Sequence, residues 1–362
     1  MDFFKKNVKF HEKYKKSDIM KVMKKWPGFE KGINLGGWLS QSNLKKEFLD
    51  TYITKDDIRQ ISEWGLDHVR LTVDYTLLQD EKGKMIDSGF EYIDRCLQWC
   101  DEYNVNMIIE LHRIYGYYFL GGETDGGFFH NEKVVMRFLN IWIALAKRYG
   151  SRHERICFEL LNAVMDAADQ VSWMNIAKSA VSIIRVFAPQ TKILVCGSRH
   201  SSVHSINTLS DFHDPNVGFS FHCYEPILFC QQQAYWRDDI PMDEKMSFPI
   251  SKEEYHARLE KNPQIMFSAE NTCPDLLGPD YFKNLFERAV NHVEKFDSII
   301  YCVEYGVIDR ADNASTIHWF KQIHEAFEHY GIGRALWTYK DLDYGLKDQR
   351  FEGIRETILQ YL

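Results

Sequence analysis

Two apolar runs of this 362-residue chain end in residues that could do chemistry. Residues 299–303 lead into Glu304, and residues 158–161 lead into Asn162 and Ala163. Glycoside hydrolysis with retention uses two carboxylates about 5–5.5 Å apart, one as nucleophile and one as proton donor. Glu304 fits the nucleophile, whereas the other run ends without an acid. We therefore expect a hydrolytic site that has its nucleophile and lacks its proton donor.

The elements that position these residues are short apolar strands alternating with helical patterns. The predicted strands cover residues 32–35, 65–71, 106–112, 156–162, 193–196, 218–222, 299–304 and 335–337. Continuous apolar strands separated by helices predict a parallel sheet buried on both faces. Eight such units in about 330 residues favour an α/β fold of the closed (β/α)8 TIM barrel type. An open dinucleotide-binding sheet typically carries the motif GxGxxG after its first strand, and the sequence from Asn34 to Trp38 does not match this motif.

One connection is much longer than the others. It covers about residues 225–279, between the sixth strand and the helix that follows. Loops of this length usually have a function or carry elements of their own. Because the connection leaves the C-terminal end of a barrel strand, where active sites sit, we expect an inserted subdomain over the active-site face. The rest of residues 1–362 then forms a single catalytic domain; a merely decorative surface excursion is the alternative.

Charge and composition exclude several classes of protein. A net charge of −8 argues against a nucleic-acid binder. The eight cysteines lie scattered in apolar segments, which is typical of buried free thiols in a reducing compartment. No apolar span approaches about 20 residues, and the N-terminus has no signal-peptide pattern. We expect a cytoplasmic protein, or a secreted one if a leader was removed, with a monomer favoured and no membrane partner, metal or cofactor.

The strand-end motifs, taken in order, resemble glycoside hydrolase family 5, the cellulase-like retaining β-glycosidases on (β/α)8 barrels. The similarity runs from about Gly32 to Trp337. The matching motifs are Gly32-Ile33-Asn34-Leu35-Gly36-Gly37-Trp38, His68-Val69-Arg70-Leu71, Leu111-His112, Phe221-His222-Cys223-Tyr224, Val303-Glu304-Tyr305-Gly306 and Ala335-Leu336-Trp337. Each motif is weak alone, and together in this order they are specific.

The resemblance implies a role for each matched residue. Glu304 would be the nucleophile and Arg70 its hydrogen-bond partner. Asn162 would contact the sugar 2-hydroxyl, with a strand-end cap as the structural alternative. The remaining substrate-binding candidates are His112, His222, Tyr224, Trp337 as a stacking floor, and Trp38, for which local packing is an equal alternative.

The chain departs from the family pattern at Ala163, where the pattern Asn-Glu places the general acid/base. A methyl group cannot donate a proton. Either the chain is an inactivated variant of a protein with Glu at this position, or it is a natural carbohydrate-binding pseudoenzyme. The first is favoured because every other family position is intact, and little or no activity is expected of the chain as it stands.

The substrate implied by the resemblance is a β-linked glucose polymer or oligosaccharide, with β-1,4 or mixed β-1,3-1,4 linkages. An exo-acting β-1,3-glucanase and a β-glucosidase for small plant glycosides remain alternatives. The sequence does not decide between endo and exo action.

Overall fold

A computed structural model describes residues 23–124, 127–261 and 272–362. Eight parallel strands form a closed ring, because each pairs with its neighbour in the chain and the first pairs with the eighth. The strands are Lys31–Asn34, His68–Asp74, Asn106–Ile114, Ile156–Glu159, Lys192–Cys196, Val217–Cys223, Ile300–Tyr305 and Gly333–Leu336. The predicted (β/α)8 barrel is confirmed.

Within the described residues, six helices accompany the barrel strands, and local sequence sets their ends. The helix Lys55–Glu63 begins with a capping box between Thr54 and Asp57. The helix Asn313–Tyr330 begins at Asp312, which accepts the Ser315 N–H, and ends at Gly331 with φ of 70°. The other four are Asp87–Glu102, Glu132–Tyr149, Gln170–Phe187 and Tyr281–Glu294.

Further helices, most of them short, fill the connections of the described chain. The α-helical ones are Lys46–Leu49, Tyr75–Leu78, Ser198–Ser201, Ile227–Cys230, Lys252–Lys261 and Arg355–Leu359. The 3₁₀ turns are Gly150–Arg152, Ala167–Asp169, Val203–Thr208, Pro274–Leu276 and Gln349–Phe351. Between the fifth and sixth strands these short elements stand where a barrel would usually carry a long helix.

Two strand boundaries differ from the prediction for local reasons. The second strand begins at His68 rather than at Gly65, which instead closes the preceding helix with φ of 78° and a hydrogen bond to the Ser62 carbonyl. The fourth strand ends at Glu159, so Asn162 and Ala163 lie in the loop just beyond it. The third strand also continues into an antiparallel hairpin, Tyr117–Tyr118 with Gly122–Glu123, that the sequence pattern does not indicate.

The long connection after the sixth strand packs against the barrel through aromatic side chains. Phe229 stacks on Phe248, which in turn contacts Phe282 of the following helix. The Tyr344 hydroxyl donates to the Cys230 carbonyl at 2.9 Å. Residues 262–271 of this connection lie outside the described residues, so an inserted subdomain over the site stays a prediction.

The cysteines are free thiols, and seven of the eight are buried, with Cys273 partly exposed. Among the helices of the described ranges, none combines the length and the hydrophobicity that a membrane crossing needs.

Candidate active site

Arg70, on the second strand, is the centre of a buried polar network at the C-terminal end of the barrel. All five of its N–H groups are used. Nε and Nη2 donate to the two oxygens of Glu159 at 2.6 and 3.1 Å. Nη1 donates to Asn34 Oδ1 and Glu304 Oε1, both at 2.8 Å, and Nη2 donates to Asn162 Oδ1 at 2.9 Å. One guanidinium therefore joins the second strand to side chains of the first, fourth and seventh strands and of the loop after the fourth.

Glu304 lies near the end of the seventh strand and is held by donors from two sides. Arg70 binds Oε1, and the Tyr224 hydroxyl donates to Oε2 at 3.0 Å. His222 Nδ1 lies 3.5 Å from the same Oε2. Because the side chain is held at both oxygens and is almost fully buried, its carboxylate has a fixed direction.

The loop that carries position 163 is fixed through its backbone. The Tyr117 hydroxyl donates to the Ala163 carbonyl at 3.0 Å and accepts the Met165 N–H at 2.8 Å. Ser201 Oγ donates to the Asn162 carbonyl at 3.0 Å. The loop is thus rigidly placed, although the Ala163 side chain has no functional group. The nearest downstream acid, Asp166, accepts the Ala168 N–H as a helix cap.

His112 and Trp337 form one flat wall of the site. Their rings are parallel within 3° at a centroid distance of 5.7 Å, and Trp337 keeps 7% of its surface exposed. A Cβ on Gly36 would lie 2.8 Å from the Trp337 ring, which explains why the opening motif has glycine there. Phe119 of the hairpin meets the His112 ring edge-on at 4.9 Å.

Burial shifts the protonation of the groups around Arg70. It raises the pKa of Glu110 and of Glu159 to about 8 each, although the positive charge of Arg70 opposes both shifts. It lowers the pKa of His112 to about 4 and that of His222 well below the usual value. Burial also disfavours the charged form of Arg70, but Glu159, Glu110 and Glu304 raise its pKa above the ordinary value. At neutral pH the site therefore combines a cationic guanidinium with neutral imidazoles.

Most of the candidate residues come together, and one does not. Seven of them lie at or just beyond the C-terminal ends of their strands: Glu304, Asn162, Ala163, His112, His222, Tyr224 and Trp337. Arg70 lies earlier on the second strand and reaches Glu304 and Asn162 through its guanidinium. Trp38 is fully buried, stacks on Trp99 and donates its indole N–H to the Leu49 carbonyl. This position favours local packing, the alternative that the sequence left open, over contact with a substrate.

Three polar residues of the network were not predicted as site residues. Asn34 Oδ1 accepts a hydrogen bond from Arg70 Nη1, and Asn34 Nδ2 donates to the Val303 carbonyl at 2.9 Å. Glu110 and Glu159 are fully buried on the third and fourth strands. The sequence does contain a signal for these two glutamates, because each is a charged residue inside an otherwise apolar strand. Such a residue needs a buried partner, which indicates a polar network in the barrel.

Comparison with known proteins identifies the family. The family model for cellulase (glycosyl hydrolase family 5) matches residues 25–343. Cellodextrinase A of Ruminococcus flavefaciens is 37% identical over 312 residues, 86% of each chain. Endoglucanase C of Acetivibrio thermocellus is 34% identical over 339 residues, covering 92% of this chain and 98% of its own.

A solved structure confirms the same fold at lower identity. The clostridial cellulose synthase subunit Z from Clostridioides difficile superposes with a TM-score of 0.73 at 22% identity, covering 92% of this chain and 99% of its own.

Proposed function

The chain belongs to glycosyl hydrolase family 5, and on that basis we propose that its site is built for retaining hydrolysis of β-glucans or gluco-oligosaccharides. The observation that carries the proposal is the strand-end carboxylate of Glu304, aimed by Arg70 and Tyr224. The cellodextrinase and endoglucanase relatives favour cellodextrins and related glucans as the substrate class. Exo action on β-1,3-glucans and action on small plant glycosides are the alternatives.

In the first chemical step Glu304 attacks the anomeric carbon while the bond from that carbon to the leaving oxygen breaks, and positive charge develops on the sugar ring. Asn162 already accepts from Arg70 through Oδ1, so its NH₂ group is the part that can bind the sugar 2-hydroxyl. Trp337, backed by the parallel His112 ring, offers an aromatic face to the apolar C–H face of a pyranose.

Protonation of the leaving group is the step for which this chain lacks a residue. Position 163 follows Asn162, where the family places its acid/base, and holds alanine. Glu159 does not replace it, because Arg70 binds both of its oxygens. General acid–base catalysis contributes typically ~10²–10⁴-fold, so we propose that the chain turns over poor leaving groups slowly or not at all.

Azide rescue tests this assignment with the chain as it is. An aryl β-glucoside with a good leaving group needs little acid help, so Glu304 should still form a glycosyl-enzyme. Azide then replaces water without needing a general base, and a β-glucosyl azide should accumulate. The matched control Glu304→Gln should show neither rescue nor a covalent adduct by mass spectrometry. An α-configured azide product, or rescue that persists in Glu304→Gln, would refute the double displacement.

A second candidate function is sugar binding without turnover. The observation that favours it is that position 163 has no acid while the Arg70 network and the His112–Trp337 wall are complete. Calorimetry with cello-oligosaccharides distinguishes the candidates: tight binding with no azide rescue supports a binding protein, whereas rescue supports the glycosidase.

A further inference from the structure

The third strand carries two buried titratable side chains, Glu110 and His112, that touch each other on the inside of the barrel. Glu110 Oε2 lies 3.0 Å from His112 Nδ1. The other imidazole nitrogen, Nε2, lies 3.1 Å from Gln41 Oε1. Glu110 Oε1 has no hydrogen-bond partner, although both carboxyl oxygens are buried. The family roles assigned above account for His112 and leave Glu110 without one.

The three side chains form a hydrogen-bonded row whose proton positions follow from donor and acceptor chemistry. Gln41 Oε1 can only accept, so His112 Nε2 must carry a hydrogen. The imidazole is buried beside the cationic Arg70, which disfavours a second proton on the ring. Nδ1 is then an acceptor, and the group facing it must donate. The donor at that position is Glu110, and a carboxyl group can donate only when it is protonated.

The surroundings of Glu110 agree with a neutral carboxyl. If Glu110 were ionised, its buried Oε1 would carry negative charge without a hydrogen-bond donor, and burial of such a charge costs free energy. Arg70 is the facing cation, but its Nη2 stays 3.7 Å from Oε2 because its N–H groups are used by other acceptors. The other charged or titratable groups that act on Glu110 are carboxyls and a thiol: Glu304, Glu159, Asp74 and Cys196. These groups favour protonation of Glu110 when they are charged.

We infer that Glu110 is a positioning residue: a neutral carboxylic acid whose O–H donates to His112 Nδ1 and so keeps the hydrogen of His112 on Nε2. The Nε2–H then points to the partly exposed Gln41, where a sugar hydroxyl can replace the amide as acceptor. If Glu110 ionises, the preferred tautomer reverses and this donor is lost. The use of that donor for a sugar rests on the proposed function, whereas the tautomer itself does not.

The direct test is the ¹⁵N spectrum of the histidine side chains in the intact protein at pH 7, with His112→Gln used to assign the signal. The chain supplies two internal references. His292 Nε2 lies 2.8 Å from the Leu209 carbonyl and must carry a hydrogen there. His68 Nδ1 faces the Asp67 carboxylate, which can only accept, and His68 Nε2 faces the Tyr301 hydroxyl, which can donate. This arrangement favours the opposite tautomer, with the hydrogen on Nδ1.

The expected result is that His112 gives a pyrrole-like Nε2, as His292 does where it faces the Leu209 carbonyl, and a pyridine-like Nδ1. The reverse pattern, as in His68, or averaged shifts would overturn the proposal. Glu110→Gln should keep the pattern, because its NH₂ can donate to Nδ1, and should keep it at pH 9.5 as well. With Glu110 itself, the pattern should reverse or average above about pH 8. A pattern in the unsubstituted protein that does not change up to pH 9.5 would contradict a titrating Glu110.

A kinetic test asks whether the tautomer matters for the sugar, with Ala163→Glu as the parent. KM for a cello-oligosaccharide should rise about 3- to 10-fold between pH 7 and pH 9.5, the cost of one lost hydrogen bond. Adding Glu110→Gln should remove that rise. A KM of equal pH dependence in both proteins would refute the role in substrate binding. A parent without turnover would refute the proposed function and leave the tautomer to be judged by the spectrum alone.

Discussion

Arg70 is the residue on which the geometry of the site most depends. It is fully buried, and its five N–H groups meet two carboxyl groups and two asparagine amides in fixed directions. A lysine carries the same charge but has three donors on a flexible stem, so it cannot reproduce this arrangement. The guanidinium thus links the strands of the barrel and at the same time orients Glu304, the proposed nucleophile.

Removal of Arg70 should therefore cost stability as well as activity. Arg70→Met leaves Glu159 buried without its partner, and we expect a loss of about 3–5 kcal/mol in the free energy of unfolding. The matched control is Arg59→Met, which breaks an exposed pair with Glu63 and should leave the free energy of unfolding nearly unchanged. Urea unfolding measures both; a similar small effect in the two variants would contradict the account.

Tyr224 offers a test confined to one hydrogen bond to Glu304, the proposed nucleophile. In the Ala163→Glu background, Tyr224→Phe removes the donor to Glu304 Oε2 and should lower kcat by roughly 10- to 100-fold, the worth of a hydrogen bond to a charged group. Tyr344→Phe makes the same change in a neighbouring ring, 5.6 Å away, whose hydroxyl binds the Cys230 carbonyl instead. Equal losses in the two variants would show that the effect is only structural.

At the scale of elements, the strands follow from sequence pattern, and most observed strand ends lie within two residues of the predicted ones. Two of the exceptions have local causes. Gly65 ends a helix with a positive φ, and the fourth strand loses its ladder at Glu159, before Asn162. Neither hydropathy nor spacing reports where a ladder stops, because that depends on the neighbouring strand. The hairpin that begins at Tyr117 could not be predicted from hydropathy or spacing either, yet its Tyr117 hydroxyl holds the Ala163 backbone in place.

The long connection after the sixth strand is joined across its two ends by Glu225 and Thr272. Thr272 Oγ1 donates to Glu225 and accepts the Ile227 N–H at 3.2 Å, and the Tyr281 hydroxyl donates to the Thr272 carbonyl at 2.6 Å. We expect Thr272→Val to leave the buried Glu225 carboxyl without its donor and to cost about 1–3 kcal/mol. Limited proteolysis should then cut this connection faster than in the parent.

The control for that comparison is Thr51→Val, which loses exposed hydroxyl hydrogen bonds to the Glu47 and Phe48 carbonyls. If Thr272→Val and Thr51→Val are cleaved at the same rate as the parent, the Glu225–Thr272 contact does not hold the connection.

At the scale of the whole molecule, the strand order and the approximate location of the site could be predicted, since strand ends of a parallel barrel meet at one face. The hydrogen-bond partners could not. That Arg70 reaches Glu159 and Glu304 together, or that Trp38 faces the core while Trp337 faces the site, depends on strand twist and register. Glu110 and Gln41 are 69 residues apart in the chain and meet only through His112.

The protonation of Glu110 should also influence how the stability of the barrel depends on pH. Its pKa in the folded protein is about 8, above the usual value near 4.5, so the folded state holds the proton more tightly than the unfolded state. This contribution is present in full below about pH 4.5 and is lost as the pH rises to about 8. The stability of Glu110→Gln relative to the parent should therefore increase from pH 5 to pH 8 and then level off. A difference independent of pH would contradict the assignment.

The central claim is that the site is a retaining glycosidase whose one missing part is the acid at position 163. The most direct measurement is the activity of Ala163→Glu beside the unchanged chain on β-1,4-, β-1,3- and mixed-linkage gluco-oligosaccharides, with Ala163→Gln as the isosteric control. We predict a gain of about 10²-fold or more for Ala163→Glu on at least one β-linked substrate, and none for Ala163→Gln. No gain with any of these sugars, or an equal gain with Ala163→Gln, would contradict the claim.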